Sequence, residues 1–401
     1  MTRFHLNKPL FLLAPLLSLV LLTAQAASAA PVDDGSWRVV KSPQTSLPYG
    51  VLNGVTAISK HDVWAVGATY TDATTFEPLQ TVTEHWNGSQ WRIIRSPNLY
   101  RNNALNSVAA VSANDVWAVG NTYVHLGGGR FENNTLIEHW NGSQWRIVPS
   151  PNPREQNMLN GVFAISKHDV WAVGSTGTIS GSILDTLILH WNGSQWSVVP
   201  SPHPGAGSTL INGWAGSAND VWAVGTYFTG SGTPGVALIE HWNGRNWSVV
   251  ASPNAGMNGS SMNGVTVVSA SDAWAVGQTT NSNNVTQALI EHWNGRNWSI
   301  VQSPNFAPQG FILGSVVAFS SNDIWAAGLS FPGPNGLGGK TLIEHWNGTS
   351  WSIVQTPNIE PDSDFFISLA ADSPNDLWAV GGYSPANPVG FPQYTLIEHC
   401  C

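Results

Sequence analysis

Cysteine is almost absent from this chain of 401 residues: the sequence has two, Cys400 and Cys401, and they are its last residues. Secreted domains that depend on disulfides carry several pairs at spaced positions, and two adjacent cysteines form no such framework. We therefore expect packing to stabilise the fold. The terminal pair itself is interpreted as two free thiols or as a bridge between two copies of the chain.

Charge is also scarce, at 10% of residues, with a formal net charge of -9. The 15 lysines and arginines form no cluster, whereas a protein that binds nucleic acid through its phosphates needs a basic patch. A nucleic-acid partner is therefore excluded. Because 42% of the residues are hydrophobic, the chain can bury a large core and is not disordered by composition.

Long apolar runs are missing except near the N-terminus. There, Arg3 and Lys8 precede the apolar stretch 9–22, and a run of small residues follows at 24–30. This order is typical of a secretory signal peptide, which we predict over residues 1–29. No later segment approaches the roughly 20 apolar residues that a membrane span requires. The mature chain is thus expected to be secreted or to lie on the cell surface, with no membrane span.

Internal repetition is the main signal in the rest of the sequence. An Asp-aliphatic-Trp-Ala motif recurs at a mean spacing of about 52 residues, beginning at Asp62, Asp115, Asp169, Asp220, Asp272, Asp323 and Asp376. The first six motifs are each followed by a His-Trp pair, a second tryptophan and a Ser-Pro or Thr-Pro, and the last motif is followed by His399-Cys400 alone. This period is typical of β-propellers, whose four-stranded blades repeat every 40 to 50 residues or so.

Each repeat is predicted to form four strands. In the first repeat we place them at 52–59, 62–70, 81–86 and 91–96, because runs rich in β-branched and aromatic residues are separated there by short segments of turn residues. Asn87-Gly88, between the third and fourth strands, is a strong hairpin signal since both residues tolerate positive φ. No segment indicates a helix.

The two ends of the chain share one repeat. The last repeat stops at Cys401, before its fourth strand, while residues 36–43 (SWRVVKSP) resemble a fourth strand with no repeat before it. Joining the two would remove exposed sheet edges. The sequence therefore predicts an all-β protein, a seven-bladed β-propeller of four-stranded antiparallel blades. Its ring is closed by the N-terminal strand, 36–43, which completes the last blade, and one domain covers 30–401.

Two motifs carry a resemblance to known families. NDVWAVG at 114–120 is similar to the tryptophan-centred strand of regulator propellers, and HWNGSQW at 139–145 resembles a degenerate Asp-box. The chain thus resembles secreted bacterial propeller proteins with Asp-box, kelch-like or regulator-propeller repeats. These families share an architecture and differ in activity, so the resemblance implies the fold and leaves the function open.

Glutamate and histidine recur side by side in the third strands, as in Glu84-His85. Adjacent strand residues point to opposite faces of a sheet, so such a pair cannot bind one metal ion. We interpret each histidine as a hydrogen-bond partner within its blade, and the repeated aspartate as a cap for backbone N–H groups at the turn into the second strand. No metal site, cofactor or catalytic residue is predicted.

Tryptophan is abundant, with 21 residues, and all but Trp214 follow the repeat. The repeated ones are predicted to fill the space between neighbouring sheets, because each aromatic side chain buries a large area. Trp214 aligns with either Val55 or Thr56 of the first repeat. It is either exposed at the central tunnel or on a face, or it fills the core locally.

Variable connections locate the expected binding face. The second-to-third and fourth-to-first connections differ between repeats, and in an antiparallel blade they emerge on the same face, where binding residues tend to lie. We therefore predict a non-enzymatic extracellular binding or scaffold module that recognises a protein or a glycan there; the alternative is a glycan-active hydrolase or lyase with its site at the tunnel mouth. The candidate binding residues are Tyr70, Phe76, Tyr123, His125, Arg130, Phe131, Arg154, Trp214, Tyr227, Phe228, Phe331, Phe365, Phe366, Tyr383 and Phe391.

Overall fold

The computed structural model describes residues 36–75, 77–127, 130–178, 184–253, 258–304, 310–331, 338–359, 363–384 and 393–401, with residue 130 described by its backbone alone. The predicted signal peptide, 1–29, lies outside the described residues. So do two candidate binding residues, Phe76 and Phe391.

Seven antiparallel blades of four strands make up the described chain. Blade 1 holds β2 (Tyr49–Ser59), β3 (Asp62–Tyr70), β4 (Gln80–Trp86) and β5 (Trp91–Ile93). Blade 2 holds β6 (Asn102–Ser112), β7 (Asp115–Gly127), β8 (Arg130–Trp140) and β9 (Trp145–Ile147). Blade 3 holds β10 (Gln156–Ser166), β11 (Asp169–Gly177), β12 (Leu184–Trp191) and β13 (Trp196–Val198).

The remaining blades repeat this pattern. Blade 4 holds β14 (Gly207–Ser217), β15 (Asp220–Phe228), β16 (Gly235–Trp242) and β17 (Trp247–Val249). Blade 5 holds β18 (Ser260–Ser269), β19 (Asp272–Thr280), β20 (Thr286–Trp293) and β21 (Trp298–Ile300). Blade 6 holds β22 (Phe311–Ser320), β23 (Asp323–Ser330), β24 (Lys340–Trp346) and β25 (Trp351–Val354). Blade 7 holds β26 (Ser363–Ser373), β27 (Asp376–Ser384), β28 (Tyr394–Cys400) and β1 (Arg38–Val39).

Consecutive strands pair within each blade, and a single parallel bridge between Gln156 and Asn133 joins blades 2 and 3 into one eight-stranded sheet. The predicted all-β architecture of four-stranded antiparallel blades is confirmed. Within the described residues there is no helix with the length and hydropathy needed to cross a membrane.

The first described strand, β1, is the outer strand of the last blade. In β1, Arg38 pairs with His399 and Val39 pairs with Glu398 of β28. Trp37 beside them is buried and packs in one core cluster with Trp325 of blade 6. On the inner side, the Val55 amide of blade 1 donates to Ser368 Oγ of blade 7 at 3.2 Å. Blades 1 and 7 are therefore neighbours.

The innermost strands β2, β6, β10, β14, β18, β22 and β26 surround a central channel. Each carries a bulge, which in β2 falls between Leu52 and Gly54. The bulge residue Asn53 donates its Nδ2 to the Leu105 carbonyl of blade 2 at 2.9 Å. Such bonds join neighbouring inner strands and satisfy backbone groups along the edges that face the channel.

Tryptophans fill the space between blades, as predicted. Trp64 of blade 1 is 1% exposed, and its ring centroid lies 4.9 Å from Trp140 and 5.3 Å from Trp145, both in blade 2. The third-to-fourth turns are the predicted Asn-Gly hairpins. Asn87 Oδ1 accepts hydrogen bonds from the amides of Ser89 and Gln90 at 3.1 Å each, and Gly88 has a φ of 91° that favours glycine.

Candidate binding surfaces

The second-to-third and fourth-to-first connections of the blades lie on one side of the ring, which we name the variable-loop face. Here the β3–β4 connection of blade 1 contacts the start of blade 2. The Leu79 amide donates to Asn102 Oδ1 at 3.0 Å, and the Asn103 amide donates to the Leu79 carbonyl at 2.8 Å. The opposite side, which carries the first-to-second turns and the Asn-Gly hairpins, is the tight-turn face.

A depression on the variable-loop face lies between blades 1 and 2. We name it the blade 1–2 groove. It comprises two adjoining hollows of about 240 Å³ and 370 Å³. Its lining residues are Thr75, Glu77, Leu79, Tyr100, Arg101, Asn102, Tyr123, Val124, His125 and Phe131.

Glu77 is the polar centre of this groove. Its carboxylate accepts a hydrogen bond from Asn102 Nδ2 at 3.0 Å and lies 3.1 Å from His125 Nε2. Arg101 Nη2 is 3.8 Å from the second carboxylate oxygen. The ring side chains beside it face solvent, with Tyr100 50% and Phe131 45% exposed. The groove therefore offers apolar rings around one oriented carboxylate.

Three of the predicted residues, Tyr123, His125 and Phe131, meet in this groove. Sequence reasoning missed Glu77, Tyr100 and Arg101, which complete it. The missed residues lie on the same two kinds of variable connection. A search of those connections for charged residues as well as aromatic ones would have found them.

Two candidate residues are buried, which corrects their expected exposure. Phe366 is 2% exposed, because its register against Gly381 is that of Leu52 against Gly67, a core position. Tyr70 is also 2% exposed, and its hydroxyl accepts a hydrogen bond from the Gln393 amide at 3.0 Å. Burial raises the pKa of Tyr70. Neither side chain can present a surface to a ligand.

The other candidates are distributed around the ring. Arg154 forms an ion pair with Asp185 at 2.6 Å in blade 3, and Phe228 of blade 4 is 40% exposed. Tyr383 stacks on Tyr394 with their centroids 5.2 Å apart. Tyr227, Phe331 and Phe365 are half-buried, and Arg130 begins β8. The structure does not bring Arg154, Tyr227, Phe228, Phe331, Phe365 or Tyr383 into the blade 1–2 groove.

Trp214 lines the central channel and is 41% exposed. It pairs with Trp222, as Thr56 pairs with Trp64, so the open alignment is decided in favour of Thr56. The channel cavity has a volume of about 220 Å³. Among its described lining residues there is no Asp, Glu, Lys, Arg or His.

The repeated aspartates and histidines form one hydrogen-bonded pair in each blade. The His85 Nε2 atom lies 2.8 Å from Asp62 Oδ1, and His85 stacks on Trp64 at 4.4 Å. The turn before Asp62 is capped by Ser59, whose Oγ accepts from the His61 amide at 3.3 Å. Ser59 therefore caps this turn, and the expectation that the aspartate caps it is wrong. No group of three or more potential metal ligands occurs among the described residues.

Six glutamates are fully buried between blades: Glu84, Glu138, Glu240, Glu291, Glu344 and Glu398. Ser42 of the preceding Ser-Pro donates to the Glu84 carboxylate at 3.0 Å. Burial raises the pKa to about 8 in Glu84, Glu138 and Glu240, to about 7 in Glu291 and Glu344, and to about 9 in Glu398. These acids lie inside the fold and line neither the groove nor the channel.

Cys400 and Cys401 form a disulfide between adjacent residues. This corrects the expectation of free thiols or of a bridge between two copies. Cys400 is fully buried in the core cluster that contains Trp37. It occupies the position of the tryptophan in the His-Trp pairs of the earlier repeats.

No protein-family model matches the chain, and no curated protein matches its sequence. In fold the chain is similar to YCF48 bound to D1 peptide, with a TM-score of 0.56, 14% identity, and coverage of 92% of this chain and 97% of that one. It is also similar to an ulvan lyase bound to -[GlcA(1-4)Rha3S]-, with a TM-score of 0.56, 12% identity, and coverage of 91% and 94%.

A xyloglucanase from Xanthomonas campestris is a third similar structure, with a TM-score of 0.54, 14% identity, and coverage of 90% of this chain and 55% of that one. These solved structures are β-propellers. At such identities the likeness shows the fold alone.

Proposed function

We propose that this protein is a non-enzymatic extracellular binding module that recognises a segment of a partner protein in the blade 1–2 groove. The observation that carries the proposal is the arrangement at Glu77, where one oriented carboxylate lies among Arg101, His125 and exposed aromatic rings. Aromatic side chains and arginine are enriched where protein interfaces derive most of their binding energy. A signal peptide over 1–29 would deliver the module outside the cell.

Charge favours a protein partner over a neutral glycan at this groove. Glu77 can exchange its pairing with His125 and Arg101 for a basic side chain or a backbone amide of the partner, while Tyr100 and Phe131 cover apolar side chains. Among propellers of similar fold, one is solved with a peptide and another with a saccharide. The fold therefore leaves both ligand classes open, and the groove residues support the first.

The alternative function, hydrolysis or cleavage of a glycan at the channel mouth, requires catalytic groups in addition to a binding surface. Most glycoside hydrolases use two carboxyl groups on either side of the scissile bond. Among the described residues, the groove lining contains one carboxylate, Glu77, and the channel lining contains none. The binding function needs no further group at either place.

The test is a binding experiment with the secreted chain, residues 30–401. A partner is isolated by pull-down from the cell envelope of the producing organism, and its affinity is then measured by calorimetry. Phe131→Ala, Tyr100→Ala and Glu77→Gln should each weaken binding by about tenfold or more, since interface anchors contribute at least 1–2 kcal/mol. The Phe131→Ala and Tyr100→Ala variants should keep melting temperatures close to that of the parent, because these two side chains are exposed. Glu77→Gln should do the same, because the amide keeps the shape of the side chain and one acceptor oxygen.

Matched controls lie on the tight-turn face, where Ser89→Ala and Gln90→Ala change exposed residues. They should leave the affinity unchanged. Loss of binding in these controls, with full binding in the groove variants, would reject the assignment of the face. Turnover of a glycan by the parent protein would instead support the enzymatic alternative.

A further inference from the structure

The inner strand of blade 4, β14, departs from the repeat at the channel wall. Blades 1, 2, 3 and 5 carry asparagine at the bulge, and its side chain bonds to the next inner strand, as Asn160 Nδ2 does to the Leu210 carbonyl at 2.7 Å. Blade 4 has Ile211 at this position, while blade 6 has Gly314 and blade 7 has Ile367. The Asn-Gly sequence of blade 4 is displaced by one residue, so that Asn212 and Gly213 follow the bulge residue and Trp214 comes next.

The neighbouring blade compensates for this displacement. Gly213 stands where the other blades have valine or leucine, and a Cβ atom there would lie 2.3 Å from Cε1 of Phe163 in blade 3. The Phe163 ring occupies the space of the missing side chain and is 5% exposed. Two blades are therefore altered together, and the core between them stays filled. Trp214 takes no part in that filling and remains 41% exposed.

Trp214 faces a small, uncharged cavity with polar groups in its wall. The cavity of about 220 Å³ exceeds the roughly 150 Å³ that accommodates one benzene ring in a protein core. Its lining residues include Thr56, Ser107 and Asn212. Its wall also includes the edges of the inner strands, which apart from β10 are terminal strands of their sheets and carry backbone donors and acceptors.

We propose that this cavity, the Trp214 channel site, binds one neutral pyranose ring, such as the terminal residue of a glycan chain. The apolar face of the sugar would pack on the indole, which is the large rigid apolar surface available there. Its hydroxyl groups would bond to the strand edges and to the Thr56 and Asn212 side chains. An uncharged sugar fits because the described channel wall supplies no cation for a carboxylate or a sulfate. A pure hydrocarbon would form no hydrogen bond with the polar groups of the channel wall.

This site is separate from the blade 1–2 groove. Trp214 lies three residues before Ser217, the end of β14, and thus toward the tight-turn face. The groove lies at the opposite end of the inner strands, beside Asn102 at the start of β6. The two sites can therefore be tested independently, and a negative binding result at one site does not contradict the proposal for the other.

The test uses saturation-transfer NMR and calorimetry on residues 30–401 with the methyl glycosides of glucose, galactose, mannose and fucose. Glucuronic acid is the charged comparison, and phenol is the apolar one. At least one neutral glycoside should bind in preference to both comparisons. Trp214→Ala should reduce its affinity by at least tenfold, while Trp214→Phe retains part of it and Phe131→Ala in the groove has no effect.

Three outcomes would overturn the proposal. The first is that none of the four neutral glycosides gives a saturation-transfer signal. The second is that glucuronic acid or phenol binds and the neutral sugars do not. The third is that Trp214→Ala binds the sugar as tightly as the parent protein. Trp214 is exposed, so Trp214→Ala is expected to fold. A melting temperature near that of the parent will show that it does.

Discussion

The Arg38 guanidinium lies 3.2 Å from Nδ1 of His399, although the two residues are separated by 361 positions in the chain. Their backbones are paired in the outer half of blade 7. The adjacent Trp37 is 5% exposed and contacts Phe366, with ring centroids 6.3 Å apart. The first strand thus brings a core tryptophan to the last blade.

Deletion of residues 36–43 should therefore destabilise blade 7. The edge of β28 would lose its partner, and the core would lose Trp37, whose removal from a buried site costs about 3–5 kcal/mol. Hydrogen exchange should show loss of protection in Thr395–His399. Trp37→Ala should reproduce most of the loss of stability, whereas Val39→Ala, at a residue 45% exposed, should have little effect. Unchanged protection in the truncated protein would contradict ring closure by this strand.

The buried glutamates predict that stability falls as pH rises. Burial raises the pKa of Glu240 from 4.5 to about 8 and that of Glu398 to about 9. A carboxyl group with a raised folded-state pKa contributes its full stability below pH 4.5, and that contribution is lost as pH rises through the folded-state pKa. The melting temperature should therefore decrease between pH 5 and pH 9.

Glu240→Gln and Glu398→Gln should each flatten this dependence, because the amide does not ionise. Leu189 occupies the equivalent position in blade 3, which shows that the fold accepts an uncharged side chain there. Glu132→Gln, at a partly exposed residue, is the control and should leave the pH profile unchanged. If both buried variants keep the parent profile, these carboxyls are not responsible for it.

The histidine pairs predict a structural role without metal. His241 Nε2 lies 2.7 Å from Asp220 Oδ1, and its ring stacks on Trp222 at 4.2 Å. His241→Ala should lower stability by about 1–3 kcal/mol, since it removes one of the two side-chain hydrogen bonds to the Asp220 carboxylate and leaves only that from Trp222 Nε1 at 3.0 Å. His203→Ala, at an exposed histidine, is the control. Stoichiometric metal in the parent protein that disappears in His241→Ala, measured by elemental analysis, would refute this role.

The contact between Gly213 and Phe163 predicts a coupled pair of substitutions. Gly213→Val, which restores the residue of the other blades, should destabilise the fold by about 1–3 kcal/mol because it overpacks against the Phe163 ring. Phe163→Thr, the residue found at position 56 of blade 1, should relieve the clash. Chemical denaturation of the two single variants and the double variant should give a coupling energy of about 1 kcal/mol or more. Additive effects would show that the two positions are independent.

Much of the fold could be predicted because its signals are local. Residues close together in sequence determine the Asn-Gly turns, the tryptophan positions and the strand starts at Asp62 and Trp91. Repetition reinforced each of these signals. The fourth strands are nevertheless shorter than predicted, since β5 ends at Ile93 before the Ser-Pro that follows it.

The candidate sites could be predicted only in part. The groove combines Glu77, Arg101 and Phe131 from different connections of two blades, and no sequence spacing indicates which of the variable residues meet. Phe366 and Tyr70 were predicted on the binding surface because they fall outside the repeated motifs. Their burial depends on contacts with strands far away in the chain.

The repeat, the all-β character, the four strands of each blade and the turn chemistry can all be predicted from the amino-acid sequence, because these depend on side-chain alternation and on backbone preferences within a few residues. Which side chains face solvent at the groove and the channel depends on contacts between distant strands. Trp214 illustrates the reason: its Asn-Gly neighbours favour alignment with Val55, but pairing with Trp222 places it with Thr56. A shift of one residue along a strand changes which way every side chain points, and the bulge and the partner strand fix that register.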